Sequence, residues 1–87
     1  MARYELRFKT SVAKDLRRIA KADIKRILSR IEALSGEPRP AGVEKLSGHG
    51  LYRIWQGVYR IVYRVEEAKV VIEVIKVGRC REVYRGL

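Results

Sequence analysis

The strongest constraint on this chain is a set of three closely spaced β-prone runs. Leu51–Trp55, Val58–Val65 and Val70–Val77 are separated only by Gln56-Gly57 and by Glu66–Lys69. Connections this short join antiparallel neighbours, because a parallel return needs a crossover of about a dozen residues or more. Gln56-Gly57 suits a tight hairpin turn. Val70–Val77 is nearly continuous in apolar residues, which predicts a central strand buried on both faces.

A turn at Gln56-Gly57 predicts a register. Trp55 faces Val58, Ile54 faces Tyr59, and Arg53 lies opposite Arg60. With Glu66–Lys69 as the next turn, Val62 faces Glu73 and Ile61 faces Val74. The two sides of the sheet then separate. Ile54, Tyr59, Ile61, Tyr63, Ile72 and Val74 form an apolar side. Arg53, Trp55, Arg60, Arg64, Glu73 and Ile75 lie on the other. Like charges directly opposite each other destabilise a sheet. An Arg53–Arg60 pair beside an aromatic ring suits a bound phosphate, with Trp55 free to stack on a base. The alternative is an Arg60–Glu73 pair, with Trp55 packed on arginine stems. A slip of one residue would move the whole set to the apolar side.

Upstream, Tyr4, Leu6 and Phe8 alternate with charged residues, the pattern of a half-buried strand. Thr10 and Ser11 offer an N-cap. Val12, Leu16 and Ile19 then predict a helix to about Ala20. A second helix starts near Asp23, with Ile24, Ile27, Leu28, Ile31 and Leu34 as its apolar stripe. Gly36 is a natural C-terminal cap, and Pro38 and Pro40 forbid continuation. Residues 37–50 read as a loop. The order strand, helix, helix, strand, strand, strand predicts an α+β fold. A helical hairpin packs on one face of a small, mostly antiparallel sheet, and residues 1–87 form one domain.

Twenty Lys and Arg stand against ten Asp and Glu, for a net charge of +10. So much charge repels itself in a small body and points to a polyanionic partner, nucleic acid or an acidic protein. Late in the chain the positive charge is mostly arginine, and its planar fork suits phosphate. A chain this short buries only about 60% of its unfolded surface, so a binding partner would add stability. The lone cysteine, Cys80, excludes an internal disulfide and fits a reducing cytosol. No signal pattern or membrane-length apolar run is present. The expectation is a soluble, cytoplasmic protein that does not bind membranes. One His, one Cys and no paired cysteines make a metal site a poor fit. His49, between Gly48 and Gly50, reads as solvated rather than as a base. Cys80 reads as a neutral spacer rather than a nucleophile.

Several ordered segments carry a resemblance. They are Tyr4-Glu5-Leu6-Arg7-Phe8, Pro38-Arg39-Pro40, Lys45-Leu46-Ser47-Gly48 and Leu51-Tyr52-Arg53-Ile54. Gly57-Val58-Tyr59-Arg60-Ile61-Val62-Tyr63, Val77-Gly78-Arg79 and Glu82-Val83-Tyr84 complete the set. Together they resemble the RelE/ParE toxins of bacterial and archaeal toxin–antitoxin pairs, the RelE branch more than the gyrase-poisoning ParE branch. The resemblance implies the RelE-like microbial RNase fold. It implies an endonuclease that enters the empty A site of the 30S subunit and cuts mRNA there, stopping translation. That reaction needs no metal or other cofactor. The ribose 2′-hydroxyl attacks the adjacent phosphate, leaving a 2′,3′-cyclic phosphate and a free 5′-hydroxyl.

The resemblance also assigns roles. Arg53 matches a basic residue of the strand after the loop, and Arg60 the arginine on the scissile phosphate. Arg79 or Arg81 matches a catalytic arginine. Tyr84 matches a tyrosine that stacks on the base and takes the 2′-hydroxyl proton. Lys45, Trp55, Arg64, Lys76 and Arg85 are further candidate RNA contacts. Trp55 stands where RelE has a second catalytic lysine, and Cys80 falls at or beside the expected arginine. The implied partners are a RelB-like antitoxin, in a heterodimer or heterotetramer, and the ribosome with its message. The alternatives are a ParE-like gyrase inhibitor that cuts no RNA, and a degenerate toxin that retains only antitoxin binding.

Overall fold

The computed structural model describes residues 3–48 and 50–79. Five strands and two helices follow in the order β1 (Glu5–Phe8), α1 (Thr10–Leu16), α2 (Lys21–Leu34), β2 (Glu44–Lys45), β3 (Leu51–Gln56), β4 (Tyr59–Glu66) and β5 (Val71–Arg79). They form one sheet in the order β1-β5-β4-β3-β2. β1 runs parallel to β5, and every other neighbouring pair is antiparallel. The α+β architecture is the one expected. Strand β2 is new, because residues 37–50 read as a loop. It is two residues long and has no alternation of its own. Only pairing of Glu44 with Arg53 and of Lys45 with Tyr52 makes it a strand. β5 lies between β1 and β4, so it is an interior strand, but β4 occupies the middle of the sheet.

α1 is shorter than its apolar spacing suggests, whereas α2 begins at Lys21, before the expected Asp23, and ends at Leu34. Thr10 is the first residue of α1 and Lys9 holds the cap position, with no side-chain cap bond. After Leu16 the turn tightens, with Arg18 N–H donating to Asp15 O at 3.3 Å and Ile19 N–H to Leu16 O at 3.0 Å. Ile19 still reaches the core from outside the helix. In α2, Ile27, Ile31 and Leu34 are buried, whereas Leu28 is 40% exposed. The C-cap is Ser35 rather than Gly36. Its hydroxyl donates to Glu32 O at 2.6 Å and accepts from Arg3 Nη2 at 2.7 Å.

The β3–β4 turn sits one residue later than its composition suggests. Gly57 and Val58 form it, and Gln56 pairs with Tyr59. Gly57 takes φ 62°, the left-handed value that a type II′ turn requires at its first central residue. The pairs become Trp55–Arg60, Ile54–Ile61 and Arg53–Val62. Arg53 is therefore not opposite Arg60, and no like-charge pair is created. Moving the turn along both strands shifts each pair by two positions, which leaves every side chain on its expected face.

A second irregularity separates β4 from its expected register with β5. Val65 pairs with Ile72 and Tyr63 with Val74, but beyond a bulge Val62 pairs with Lys76 and Ile61 with Val77. Glu73 stands opposite Arg64, not Val62, because Glu66 still pairs with Val71 and the turn begins one residue later than expected. The chain enters β5 through Val70 at φ 55°, a costly conformation for a β-branched residue. The bulge is bridged from α1: Asp15 accepts a hydrogen bond from Val77 N–H at 3.2 Å and another from Lys76 Nζ at 3.2 Å.

The core lies on one face. Tyr52, Ile54, Ile61, Tyr63, Val65, Ile72, Val74 and Val77 meet Val12, Ile27, Ile31 and Leu34 of the helices. Removing a side chain such as Ile61 from water contributes about 2 kcal/mol. The loop after α2 is tied to the same sheet. Arg39 Nε donates to Tyr52 Oη at 2.9 Å, and Arg39 Nη2 also reaches the Glu67 carboxylate. Tyr4 Oη donates to Glu67 Oε2 at 2.6 Å, and Tyr63 Oη to Pro38 O at 2.7 Å. Tyr4 and Arg39 together hold the Glu67 carboxyl below its usual value. Burial, with the neighbouring Tyr52, pushes the Tyr63 hydroxyl up to about 12.

Candidate nucleic-acid interface

The face of β3 and β4 turned away from the helices carries the charge. Strand alternation places Arg53 and Trp55 there from β3, and Arg60, Val62 and Arg64 from β4. Trp55 is directly opposite Arg60. The Arg60 guanidinium lies over the Trp55 ring, 3.9 Å from its centroid. This is a close cation–π contact, worth about 1 kcal/mol or more when partly desolvated. Arg60 is only 8% exposed, while Trp55 remains 38% exposed. The indole thus holds Arg60 in place and still offers surface to a ligand. Arg53 is a diagonal neighbour of Arg60 on this face.

Glu44 completes the cluster, and the sequence reading missed it. Across the β2–β3 pair it stands opposite Arg53, and its Oε2 accepts a hydrogen bond from Arg53 Nη2 at 2.8 Å. That bond is the main reason its carboxyl lies below the usual carboxylate range. Desolvation opposes the shift, and Arg53's charge, the Trp55 side chain and Arg60 reinforce it. The only sequence signal was position, one residue before Lys45-Leu46-Ser47-Gly48.

The remaining candidates separate. Arg64 shares the open face, between Leu51 and Glu73. Lys45 pairs with Tyr52, which puts it on the helix side of the sheet edge. Lys76 directs its ammonium to Asp15. Arg79 ends β5 opposite Tyr59. It lines a cleft of about 310 Å³ with Asp23, Arg26, Gln56, Gly57 and Val58. Gly78, one residue before it, stands directly opposite Arg60, so the chain leaves β5 beside the cluster. Arg81, Tyr84 and Arg85, like His49 and Cys80, lie outside the described residues. Among the described residues no group of three or more His, Cys, Asp or Glu could hold a metal ion. None of their helices is long and apolar enough to cross a membrane.

A two-helix layer on one side of a five-stranded, mostly antiparallel sheet is shared with known toxins. The family model for the ParE toxin of type II toxin–antitoxin systems matches residues 6–84. RelE in the archaeal RelE–RelB complex from Pyrococcus horikoshii is 34% identical, with a TM-score of 0.79 over 87% of this chain and 93% of that one. An E. coli RelE mutant in the free state is 31% identical, with a TM-score of 0.79 over 98% and 93%. A chain of the RelB–RelE complex from Methanococcus jannaschii is 26% identical, with a TM-score of 0.74 over 93% and 98%. No curated protein matched by sequence. The chain belongs to the RelE/ParE family and is the toxin component of a type II toxin–antitoxin system.

Proposed function

We propose that this toxin is a ribosome-dependent mRNA endonuclease that cleaves messages in the A site and so inhibits translation. The observation that carries the reading is the gathering of Arg53, Trp55 and Arg60 on the sheet face opposite the helices, with Arg60 fixed against the indole. A phosphoryl group passing through a five-coordinate transition state gains negative charge, and prepositioned guanidinium groups stabilise it. Arg60 serves the scissile phosphate, Arg53 an adjoining oxygen, and Trp55 stacks on a base. Tyr84 takes the 2′-hydroxyl proton, and Arg81 gives one to the leaving 5′-oxygen, since Arg79 lies on the face of Tyr59, in the cleft with Asp23 and Arg26. Arg64 and Arg85 extend the contact along the strand. No cofactor enters the reaction.

Several solved relatives, including those from P. horikoshii, E. coli and M. jannaschii, are complexes with RelB antitoxins. By analogy this toxin acts in the cytoplasm and is held inactive by a RelB-like antitoxin, in a heterodimer or heterotetramer. The test is expression of the chain without an antitoxin, followed by primer extension on cellular messages. Cuts at codons occupying the A site are expected. Growth arrest with intact messages would refute the nuclease reading. A second reading, a ParE-like gyrase inhibitor, draws support from Trp55 at a position where RelE carries lysine, and from the matching ParE model. Loss of gyrase supercoiling by the purified chain, with RNA uncut, is the result that reading requires.

A further inference from the structure

The helix side of the β3–β4 hairpin carries a basic groove that the site described above does not use. Along α2, Lys25, Arg26, Ser29 and Arg30 line a cleft of about 420 Å³ together with Gln56 of β3. The cleft of Asp23, Tyr59 and Arg79 adjoins it, because Arg26 and Gln56 line both. Asp23 is the one acid among the lining residues, and it faces Arg26 at 3.5 Å. Among the described residues, neither Lys25 nor Arg30 forms an ion pair.

The groove is continuous with the open face. Gln56 follows Trp55 on β3, and Arg79 follows Gly78, which stands opposite Arg60. The turn Gly57-Val58 separates the two sides. A single strand can pass round so small a tip, whereas a duplex is stiff, over about 150 base pairs in DNA. The residues of the groove also suit unpaired nucleotides. Sites for single strands combine cations along the backbone with aromatic faces that stack on bases. Lys25, Arg26, Arg30 and Arg79 supply the first, and Tyr59, half-buried at the cleft wall, supplies the second. The Gln56 amide can both donate to and accept from a base edge.

Resting on the nucleic-acid reading above, we propose that the groove between α2 and the β3–β4 hairpin is a second RNA subsite. It holds unpaired message flanking the segment on the open face, and the strand passes between the two sides round Gly57-Val58. The flanking strand binds there mainly through its phosphates, so its contribution depends on salt and little on sequence.

The full chain is titrated with a trinucleotide and a nonanucleotide of 2′-O-methylated uridine, which cannot be cut. Trp55, the one tryptophan of the chain, reports binding by its fluorescence. The readout is the slope of log affinity against log salt, since the extra registers of a longer strand raise affinity but not that slope. The nonanucleotide should give the steeper slope. In Lys25→Gln/Arg30→Gln its slope should become shallower by about 1.4, from two phosphate contacts at about 0.7 each. The trinucleotide should bind as before, which also verifies the fold of the variant. Lys25→Gln alone, at an exposed position, should give about half that change. Lys9→Gln/Lys14→Gln, whose cations line neither cleft, should leave both slopes as they are. Equal slopes for the two lengths in the wild-type chain overturn the proposal. So does a nonanucleotide slope that Lys25→Gln/Arg30→Gln leaves unaltered, or that Lys9→Gln/Lys14→Gln changes equally. A poly-glutamate peptide that binds more tightly than the nonanucleotide, and is lost in Lys25→Gln/Arg30→Gln, also overturns it and assigns the groove to an acidic protein. A trinucleotide that does not bind the wild-type chain defeats the nucleic-acid reading itself and this inference with it.

Discussion

The two faces of one sheet differ more than any two elements of this molecule. Ile54, Ile61 and Tyr63 point to the helices and are 0–1% exposed. Arg53, Trp55 and Arg60 alternate with them along the same two strands and point the other way. On the helix side, neighbours are chosen for volume and apolar surface. On the open side, two guanidinium groups share one patch with an indole and a carboxylate, an arrangement that stability alone does not call for. The strand period of two lets a chain this small carry a core and a candidate ligand surface on adjacent residues.

The largest expected contrast comes from paired truncations on β4. Arg60→Ala should lower the rate of message cleavage about a hundredfold, as loss of one charge-stabilising donor does. It should lose only about 1 kcal/mol of stability and leave antitoxin binding nearly intact. Full toxicity in that variant would remove Arg60 from the catalytic set. Its neighbour Ile61→Ala should do the reverse and destabilise the fold by about 3 kcal/mol in urea unfolding. A smaller loss in Ile61→Ala than in Arg60→Ala would erase the distinction between the faces.

A third variant probes the join between sheet and helices. Asp15→Ala strips partners from both Val77 N–H and Lys76 Nζ. It should cost about 2 kcal/mol, again read by urea unfolding. Unaltered stability would show that the bulge needs no anchor.

The pH dependence should report the clasp over the helix-side face. Glu67 has a folded-state pKa below its ordinary 4.5. Its stabilising effect is present above that value and disappears as pH falls through the folded pKa. Tyr63 is shifted the opposite way, from 10.0 to about 12. Its contribution is complete below pH 10 and declines as pH rises towards 12. Thermal melts of Glu67→Gln and Tyr63→Phe should lose the acid and alkaline slopes respectively. The smallest effect expected is from Val70→Gly, which relieves the φ of 55° and should change stability by about +1 kcal/mol or less.

Much of this contrast was legible in the sequence because parity survives errors of register. The β3–β4 turn was expected at Gln56-Gly57 and lies at Gly57-Val58, yet each residue kept its face. Arg53, Trp55 and Arg60 were therefore grouped correctly although their pairing was not. The extra residue opposite the Val62/Tyr63 step, Ile75 on β5, leaves no trace in a strand whose stretch Val70–Val77 is nearly continuous in apolar residues. β2 was invisible because two residues cannot show a period, and Glu44 was missed with it. Lys76 drew notice as a basic residue near the end of a basic chain. Its tie to Asp15, 61 positions away, depends on how α1 crosses β5 and has no local signature. The shortened α1 reflects the tight turn through Arg18 and Ile19, which keeps Ile19 apolar and inward while ending the helix.

One assay bears most directly on the division between the faces. Purified ribosomes, stalled on a defined message with an empty A site, are mixed with the wild-type chain or with Arg60→Ala, and the RNA ends are mapped. The account predicts one dominant cut within the A-site codon, bearing a 2′,3′-cyclic phosphate, and its near disappearance in a variant that remains folded. Equal cutting by both proteins, or none by the wild type, would contradict it.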